Sequence, residues 1–240
     1  MSKSIAFSLM LFLAINVNAF TIACAANFKP TLVALTKKFE TIYGIENIKI
    51  VTGSSGMLYT QIKHGAPFDL FLSADEDRPL QLATDLGANS FIYAIGQLVF
   101  WQEDQNDVTQ KSFENYKGRL AIANPKIAPY GIAALQMLDS MKAQKLNLVR
   151  GNNVNQSYQF VYSGNVNAGL LSLSQMILGK HKNYWLIPNT LYSPIRQRGI
   201  VVNQNEVQAI KFSEFLQSDI ARTIIGRSGY GLPTIGQKSS

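Results

Sequence analysis

Short apolar runs alternate with stretches of helical periodicity along the first third of the chain. Each run is rich in β-branched or aromatic residues and is short enough for a buried strand. The pairs of predicted strand and predicted helix are residues 20–25 with 28–42, 48–51 with 57–64, and 69–73 with 79–86. Repeated strand–helix units predict an α/β fold with a mainly parallel sheet flanked by helices.

A second series of the same kind occupies the middle of the chain. Its predicted pairs are residues 120–123 with 131–145, 147–149 with 156–163, and 168–171 with 174–179. Residues 91–101, rich in β-branched and aromatic side chains, are predicted to cross from the first series to the second, and residues 193–202 to cross back. We therefore expect two lobes with a hinge between them, one of residues 20–95 plus 196–240 and one of residues 96–195.

The first nineteen residues have the pattern of a secretory signal peptide. Lys3 precedes an apolar stretch at residues 5–15, and small residues follow up to Ala19. We expect cleavage after Ala19 and export to the periplasm. The apolar stretch is too short to span a bilayer with ease, although a retained anchor is the alternative.

Composition and charge narrow the class of protein. The 240 residues are 47% hydrophobic and 15% charged, which is typical of a folded globular chain. The net charge of +7 comes from scattered basic residues, so it favours weak attraction of anions over nucleic-acid binding. The single cysteine, Cys24, excludes an internal disulfide and a cysteine-based zinc cluster. We expect a buried thiol there, with lipid attachment as the alternative.

Four of the predicted strand-to-helix junctions carry small, hydroxyl or amide side chains and no acid. They are Ala25-Ala26-Asn27, Gly53-Ser54-Ser55-Gly56, Pro129-Tyr130-Gly131 and Asn153-Val154-Asn155. At the start of a helix four backbone N–H groups lack partners within the helix, and the helix dipole adds partial positive charge. A carboxylate there would repel a bound anion. The junctions therefore predict an anion-binding cleft.

Other roles for the same residues stay open at this point. Ser54 or Ser55 could be a nucleophile with His64 or His181 as its base, but Gly-Ser-Ser-Gly is not the Gly-x-Ser-x-Gly pattern of hydrolases, and His64 would lie two turns beyond Ser55. Two histidines so far apart form no metal-ligand spacing. Asn27 is also a credible N-cap for the helix at residues 28–42.

The junctions belong to a larger ordered set of motifs. The others are Gly65-Ala66-Pro67, Asp69-Leu70-Phe71, Ser73-Ala74-Asp75, Asn124-Pro125 and Gly229-Tyr230-Gly231. Together they resemble the periplasmic molybdate-binding proteins that feed an ABC transporter. The resemblance implies a two-lobed type II periplasmic binding protein fold, without a cofactor, in which neutral donors hold molybdate or tungstate in the cleft. It also implies a monomer that delivers the oxyanion to the membrane permease of the transporter.

The resemblance places oxyanion donors at four positions. Asn27 and Ser55 match positions with polar side chains, and Tyr130 and Val154 match backbone donors. Many relatives have a tyrosine hydroxyl at the position of Ser172, which leaves open whether Tyr130, water or no group supplies that donor here. The closest alternative function is binding of another tetrahedral oxyanion, such as sulfate.

Overall fold

The computed structural model describes residues 20–45, 47–143 and 145–234, and the predicted signal peptide lies outside them. In this part of the chain ten strands form two five-stranded sheets. The first sheet contains β1 (Thr21–Ala25), β2 (Lys49–Gly53), β3 (Leu70–Leu72), β4 (Ser90–Gly96) and β10 (Ile195–Val201), in the order β2-β1-β3-β10-β4. The second contains β5 (Leu98–Gln102), β6 (Arg119–Ala123), β7 (Asn147–Gly151), β8 (Ala168–Ser172) and β9 (Tyr184–Leu186), in the order β7-β6-β8-β5-β9.

The two sheets share one pattern of strand directions. In the first sheet only β10 runs against the other four strands, and in the second only β5 does. The predicted α/β architecture with mainly parallel sheets is therefore confirmed. Residues 91–101, predicted as a crossing, span β4 and β5, which belong to different sheets and are joined by Gln97.

Helices follow most of the parallel strands. They are α1 (Lys29–Tyr43), α2 (Ser55–Lys63), α3 (Asp77–Leu86), α4 (Gln110–Glu114), α5 (Pro129–Ser140), α6 (Val154–Tyr162), α7 (Leu173–Leu178), α8 (Val207–Leu216) and α9 (Asp219–Arg227). A 3₁₀ turn at Ala26–Phe28 precedes α1, and another lies at Asn189–Leu191. None of the described helices is both long and apolar enough to cross a membrane.

The helix at residues 131–145 was predicted with the wrong bounds. α5 begins two residues earlier because proline is favoured in the first helical turn, where its missing N–H costs nothing. It ends at Ser140, and Lys142 already has the left-handed φ of 54°. Pro129 and Tyr130 therefore belong to the first turn of the helix.

Each sheet has its own hydrophobic core. In the first half of the molecule Phe20, Phe39 and Phe212 stack in tilted and edge-on pairs, with ring centroids 5.9 and 5.0 Å apart. The second half is centred on β5, β6 and β8, whose residues are almost all buried. Strands covered on both faces explain the continuous apolar runs in the sequence.

Gly131 allows the start of α5 to lie directly on the end of β6. A Cβ at this position would collide with the Ala123 carbonyl and lie 2.7 Å from Pro125 N. Both neighbours are backbone, so neither can rotate away. This close approach fixes where the N-terminus of α5 points.

We therefore expect Gly131→Ala to lower the free energy of unfolding by about 1–3 kcal/mol, the usual cost of overpacking. The control is Gly226→Ala in α9, where the added Cβ would meet Leu232 at an ordinary 3.6 Å. Alanine favours a helix, so the control should be neutral or stabilising. Chemical denaturation of both variants measures the difference, and equal stability would show that α5 can shift without cost.

Cys24 lies in the middle of the first sheet and is fully buried. Burial raises the pKa of its thiol well above the usual range. The expected buried thiol is confirmed, and a lipid on this sulfur would have no room because the Cys24 side chain lies within the hydrophobic core of the first half.

Because the thiolate is the reactive form, we expect Cys24 to resist alkylation in the folded protein at about pH 8. The same reagent should label it fully after unfolding in denaturant. Mass spectrometry of samples quenched over time gives both rates. Labelling of the folded protein as fast as of the unfolded chain would contradict the burial of this side chain.

Candidate functional site

A pocket lies where the ends of parallel strands from both sheets face each other. It is lined by Ala25, Ala26, Asn27, Gly53, Ser54, Ser55 and Ala74 from the first half and by Ala128, Pro129, Tyr130, Asn153 and Val154 from the second. The first group lies at or just after the ends of β1, β2 and β3, and the second lies after β6 and β7. The carboxyl ends of parallel strands are the usual place for ligands in open α/β sheets.

The structure brings the four predicted donors together. Asn27, Ser55, Tyr130 and Val154 all line this one pocket and all are buried. The pocket is small, because its empty space is about 220 Å³ even when the part open to solvent is included. It suits a small inorganic ligand.

Three helices begin at the pocket. Ser55 is the first residue of α2, Tyr130 the second of α5 and Val154 the first of α6. The backbone N–H groups at these positions have no partner inside their helices, and they make no hydrogen bond to any other described residue. The positive ends of three helix dipoles therefore converge on the pocket together with unpaired donors.

The two adjacent serines have different roles in the structure. The Ser54 side chain caps α2, because its Oγ accepts a hydrogen bond from Met57 N at 3.4 Å. The Oγ of Ser55 accepts one from Ala74 N at 2.9 Å. An acceptor bond leaves the Ser55 hydroxyl proton free to donate.

The prediction that Asn27 caps the first helix is wrong. α1 begins at Lys29, after the 3₁₀ turn, and neither element has a side-chain cap. The Asn27 amide instead donates to Gln197 Oε1 and to the Tyr230 hydroxyl, both at 3.1 Å. Partners from distant parts of the chain thus replace the local cap and fix Asn27 at the pocket wall.

Ser172 does not line the pocket. It is fully buried, and its hydroxyl lies 3.1 Å from Ser174 Oγ and 3.0 Å from Gln175 Oε1. The Tyr130 hydroxyl, the other side chain considered for that donor, is buried at Gly96, where the absence of a Cβ leaves it room. Ser172 is therefore not placed to replace a tyrosine hydroxyl at the pocket, whereas Tyr130 lines the pocket and its buried hydroxyl has no hydrogen-bond partner among the described residues.

A chain of buried polar groups runs behind the pocket from one half of the molecule to the other. In order, its members are Ser73, Tyr93, Gln197, Asn27, Tyr230, Ser174, Ser172, Gln175 and Val154. Sequence reasoning missed most of them, because partners such as Asn27 and Gln197 are 170 positions apart. Only the Ser172-x-x-Gln175 spacing, typical of a capping box, gave a local signal.

The pocket carries no charged side chain among its lining residues. The nearest acids on the first half are already paired: Asp75 with the backbone and guanidinium of Arg78, and Glu76 with Arg198 at 3.0 Å. Burial raises the pKa of Tyr130 and of Tyr230, so both phenols stay neutral. The electrostatics of the site are set by dipoles.

The two halves touch directly beside the pocket. The backbone N–H of Gly56, the second residue of α2, donates to the Ile127 carbonyl at 3.0 Å. A Cβ on Gly56 would lie 3.1 Å from this oxygen and 3.2 Å from Ile127 Cα. Glycine at this position therefore permits backbone-to-backbone contact across the cleft.

The histidines are not placed to activate a serine. His64 lies at the opposite end of α2 from Ser55, with its Nδ1 2.7 Å from Thr60 O. His181 Nε2 lies 2.8 Å from the Tyr158 hydroxyl, and neither histidine lines the pocket. No group of three or more metal-ligating side chains occurs within the described residues.

Comparison with known proteins agrees with this geometry. The sequence model of the family described as "Bacterial extracellular solute-binding protein" matches residues 20–231. The molybdate-binding protein ModA of Azotobacter vinelandii is 37% identical over 230 residues, covering 88% of this chain and 89% of that protein. ModA of Rhodobacter capsulatus is 34% identical over 218 residues, covering 87% and 86%.

A solved structure shows the same fold. The periplasmic molybdate-binding protein of Azotobacter vinelandii superposes with a TM-score of 0.84 at 33% identity, covering 90% of this chain and 100% of that one. This chain therefore belongs to the bacterial extracellular solute-binding proteins, in the family of the molybdate-binding protein ModA.

Proposed function

We propose that the protein binds molybdate or tungstate as an intact oxyanion in the pocket and delivers it to an ABC importer. The observation that carries this proposal is the convergence of three helix starts on a small, buried pocket with no charged lining. The names of the relatives support molybdate as the oxyanion.

Four residues supply the donors in this proposal. Tyr130 and Val154 offer backbone N–H groups, and Ser55 offers both its backbone N–H and its hydroxyl proton. Asn27, in the 3₁₀ turn, offers a backbone N–H at a position without a partner in the turn. The molybdenum atom itself has no protein ligand, since only the oxygens of the anion are contacted.

Neutral donors suit a dianion held in a buried site. Each hydrogen bond to a charged group contributes about 1.5–3 kcal/mol, and the charge spreads over several aligned dipoles. A hydrogen phosphate ion would bring a proton that needs an acceptor, and the lining residues include no carboxylate. Its unpaired donor would disfavour it.

The remaining features of the proposal concern the mature protein. We infer that residues 1–19 are removed after Ala19 and that the mature chain works in the periplasm as a monomer. Residues 20–95 plus 196–240 form one lobe and residues 96–195 the other, with the hinge where β4 and β10 meet the second half. An anion contacted by both lobes stabilises the closed form, which the membrane permease recognises.

Isothermal titration of residues 20–240 tests the function. Molybdate and tungstate should each bind at one site per chain, whereas phosphate and sulfate at equal ionic strength should not bind. Sulfate differs from molybdate in size but not in charge, so it is the demanding control. Tight binding of sulfate alone would contradict the proposal, and so would the absence of binding of any of the four oxyanions. Neither result would change the assignment of the fold.

Ser55→Ala tests the site. Losing a donor to a charged group should weaken molybdate binding by about 1–3 kcal/mol. The buried Ala74 N–H also loses its acceptor, so the free energy of unfolding should fall by about 1–3 kcal/mol as well.

The matched control is Ser213→Ala, because the Ser213 hydroxyl bonds Ile210 O within α8, outside the pocket. Its molybdate affinity should equal that of the wild type. Titration and denaturation of both variants separate binding from stability. If the Ser55→Ala variant binds molybdate with wild-type affinity, the Ser55 side chain does not contact the anion.

A further inference from the structure

Gln175 connects the starts of two helices in the second half of the molecule. Its side chain is largely buried, and its Oε1 accepts hydrogen bonds from Ser172 N at 3.1 Å and from Ser172 Oγ at 3.0 Å. Its Nε2 donates to Val154 O at 3.2 Å. A backbone N–H on one side and a backbone carbonyl on the other leave only one orientation for the amide.

We propose that Gln175 is a positioning residue for oxyanion binding: it holds the first turn of α6 so that the Val154 N–H points into the pocket. This inference rests on the proposed function, because Val154 is one of the four proposed donors. Gln175 does not line the pocket. It acts on the Val154 N–H indirectly, through its hydrogen bond to the carbonyl of the same residue.

The local structure explains why such a support is needed. The Asn153 side chain caps α6 by accepting from Gln156 N at 3.0 Å, which pairs one N–H but does not tie the turn to the rest of the protein. The Val154 N–H must stay unpaired to serve a ligand. The bond from Gln175 to the carbonyl of the same residue restrains the turn without using that N–H.

The support extends to the opposite wall of the pocket. Ser172 Oγ lies 3.1 Å from Ser174 Oγ, which lies 3.0 Å from the Tyr230 hydroxyl. Tyr230 in turn lies 2.9 Å from the Asn27 carbonyl. One buried chain of hydrogen bonds therefore sets the positions of Val154 and Asn27 relative to each other.

Two substitutions test the proposal by titration with molybdate. Gln175→Leu has a similar size, but it removes the bond that ties Val154 O to Gln175 and leaves Ser172 N without its acceptor. Val154 O keeps its partner within α6, so the loss falls on the position of the turn, and we expect binding roughly 10- to 100-fold weaker. Gln175→Glu keeps the acceptor for Ser172 N, but an ionised carboxylate cannot donate to Val154 O. Burial raises the pKa of such a carboxyl, and the protonated form can donate.

The affinity of Gln175→Glu should therefore recover as the pH falls from about 8 to about 6, whereas that of the wild type and of Gln175→Leu should stay flat. The leucine variant separates the lost hydrogen bond from the added charge. The matched controls are Gln217→Leu and Gln217→Glu, since Gln217 Nε2 also donates to a helical carbonyl, Ser213 O, but outside the pocket. Both should bind as the wild type does at each pH.

Failure of the proposed function can be told apart from failure of the positioning role of Gln175. If the wild type binds no oxyanion, the proposed function fails and this inference fails with it. If the wild type binds and Gln175→Leu binds equally well, only the positioning role is overturned. Wild-type affinity of Gln175→Glu at pH 8 would also overturn it, because an ionised carboxylate cannot donate to Val154 O. Circular dichroism of each variant shows that the chains are folded.

Discussion

A helix cannot satisfy its own first backbone N–H groups, and the rest of this structure depends on that constraint. Three helices leave these groups unpaired at one pocket, in Ser55, Tyr130 and Val154. Buried donors without partners cost free energy in the empty protein. The same groups become favourable only when an acceptor of negative charge occupies the space between them. This convergence is possible because parallel strands of both sheets end at one place and helices begin there.

The pocket lining is uncharged because the nearby charged side chains lie outside it and pair with one another. Asp75 and Glu76 lie just beyond the lining but are paired with Arg78 and Arg198. Lysine or arginine in the lining would bind an anion strongly but would also accept many anions of different shape. Fixed N–H groups point in set directions, so they discriminate by geometry as well as by charge. The buried chain of hydrogen bonds behind the pocket supplies the rigidity that such discrimination needs.

Much of the fold could be predicted from the sequence, because buried parallel strands read as continuous apolar runs and α1 carries Leu32, Leu35 and Phe39 at helical spacing. The pocket could also be predicted, since small residues mark the junctions that meet there. Asn27 shows what the sequence pattern could not predict. Its position favoured a local cap, but Gln197 and Tyr230, both far away in sequence, take its amide. Local pattern contains no information about such partners, and the same holds for most of the buried hydrogen-bond chain.

The contact between Gly56 and Ile127 has a consequence for how tightly a ligand can be held. In the proposed hinge motion, this backbone hydrogen bond between the two halves favours the closed arrangement whether or not an anion is bound. The apparent Kd of a ligand that needs this arrangement equals its intrinsic value divided by the fraction already closed. Affinity can therefore be tuned at a residue that donates nothing to the anion. Under the proposed recognition of the closed form by the permease, the same contact would make molecules without an anion resemble loaded ones, so its strength would set how well cargo is distinguished from an empty carrier.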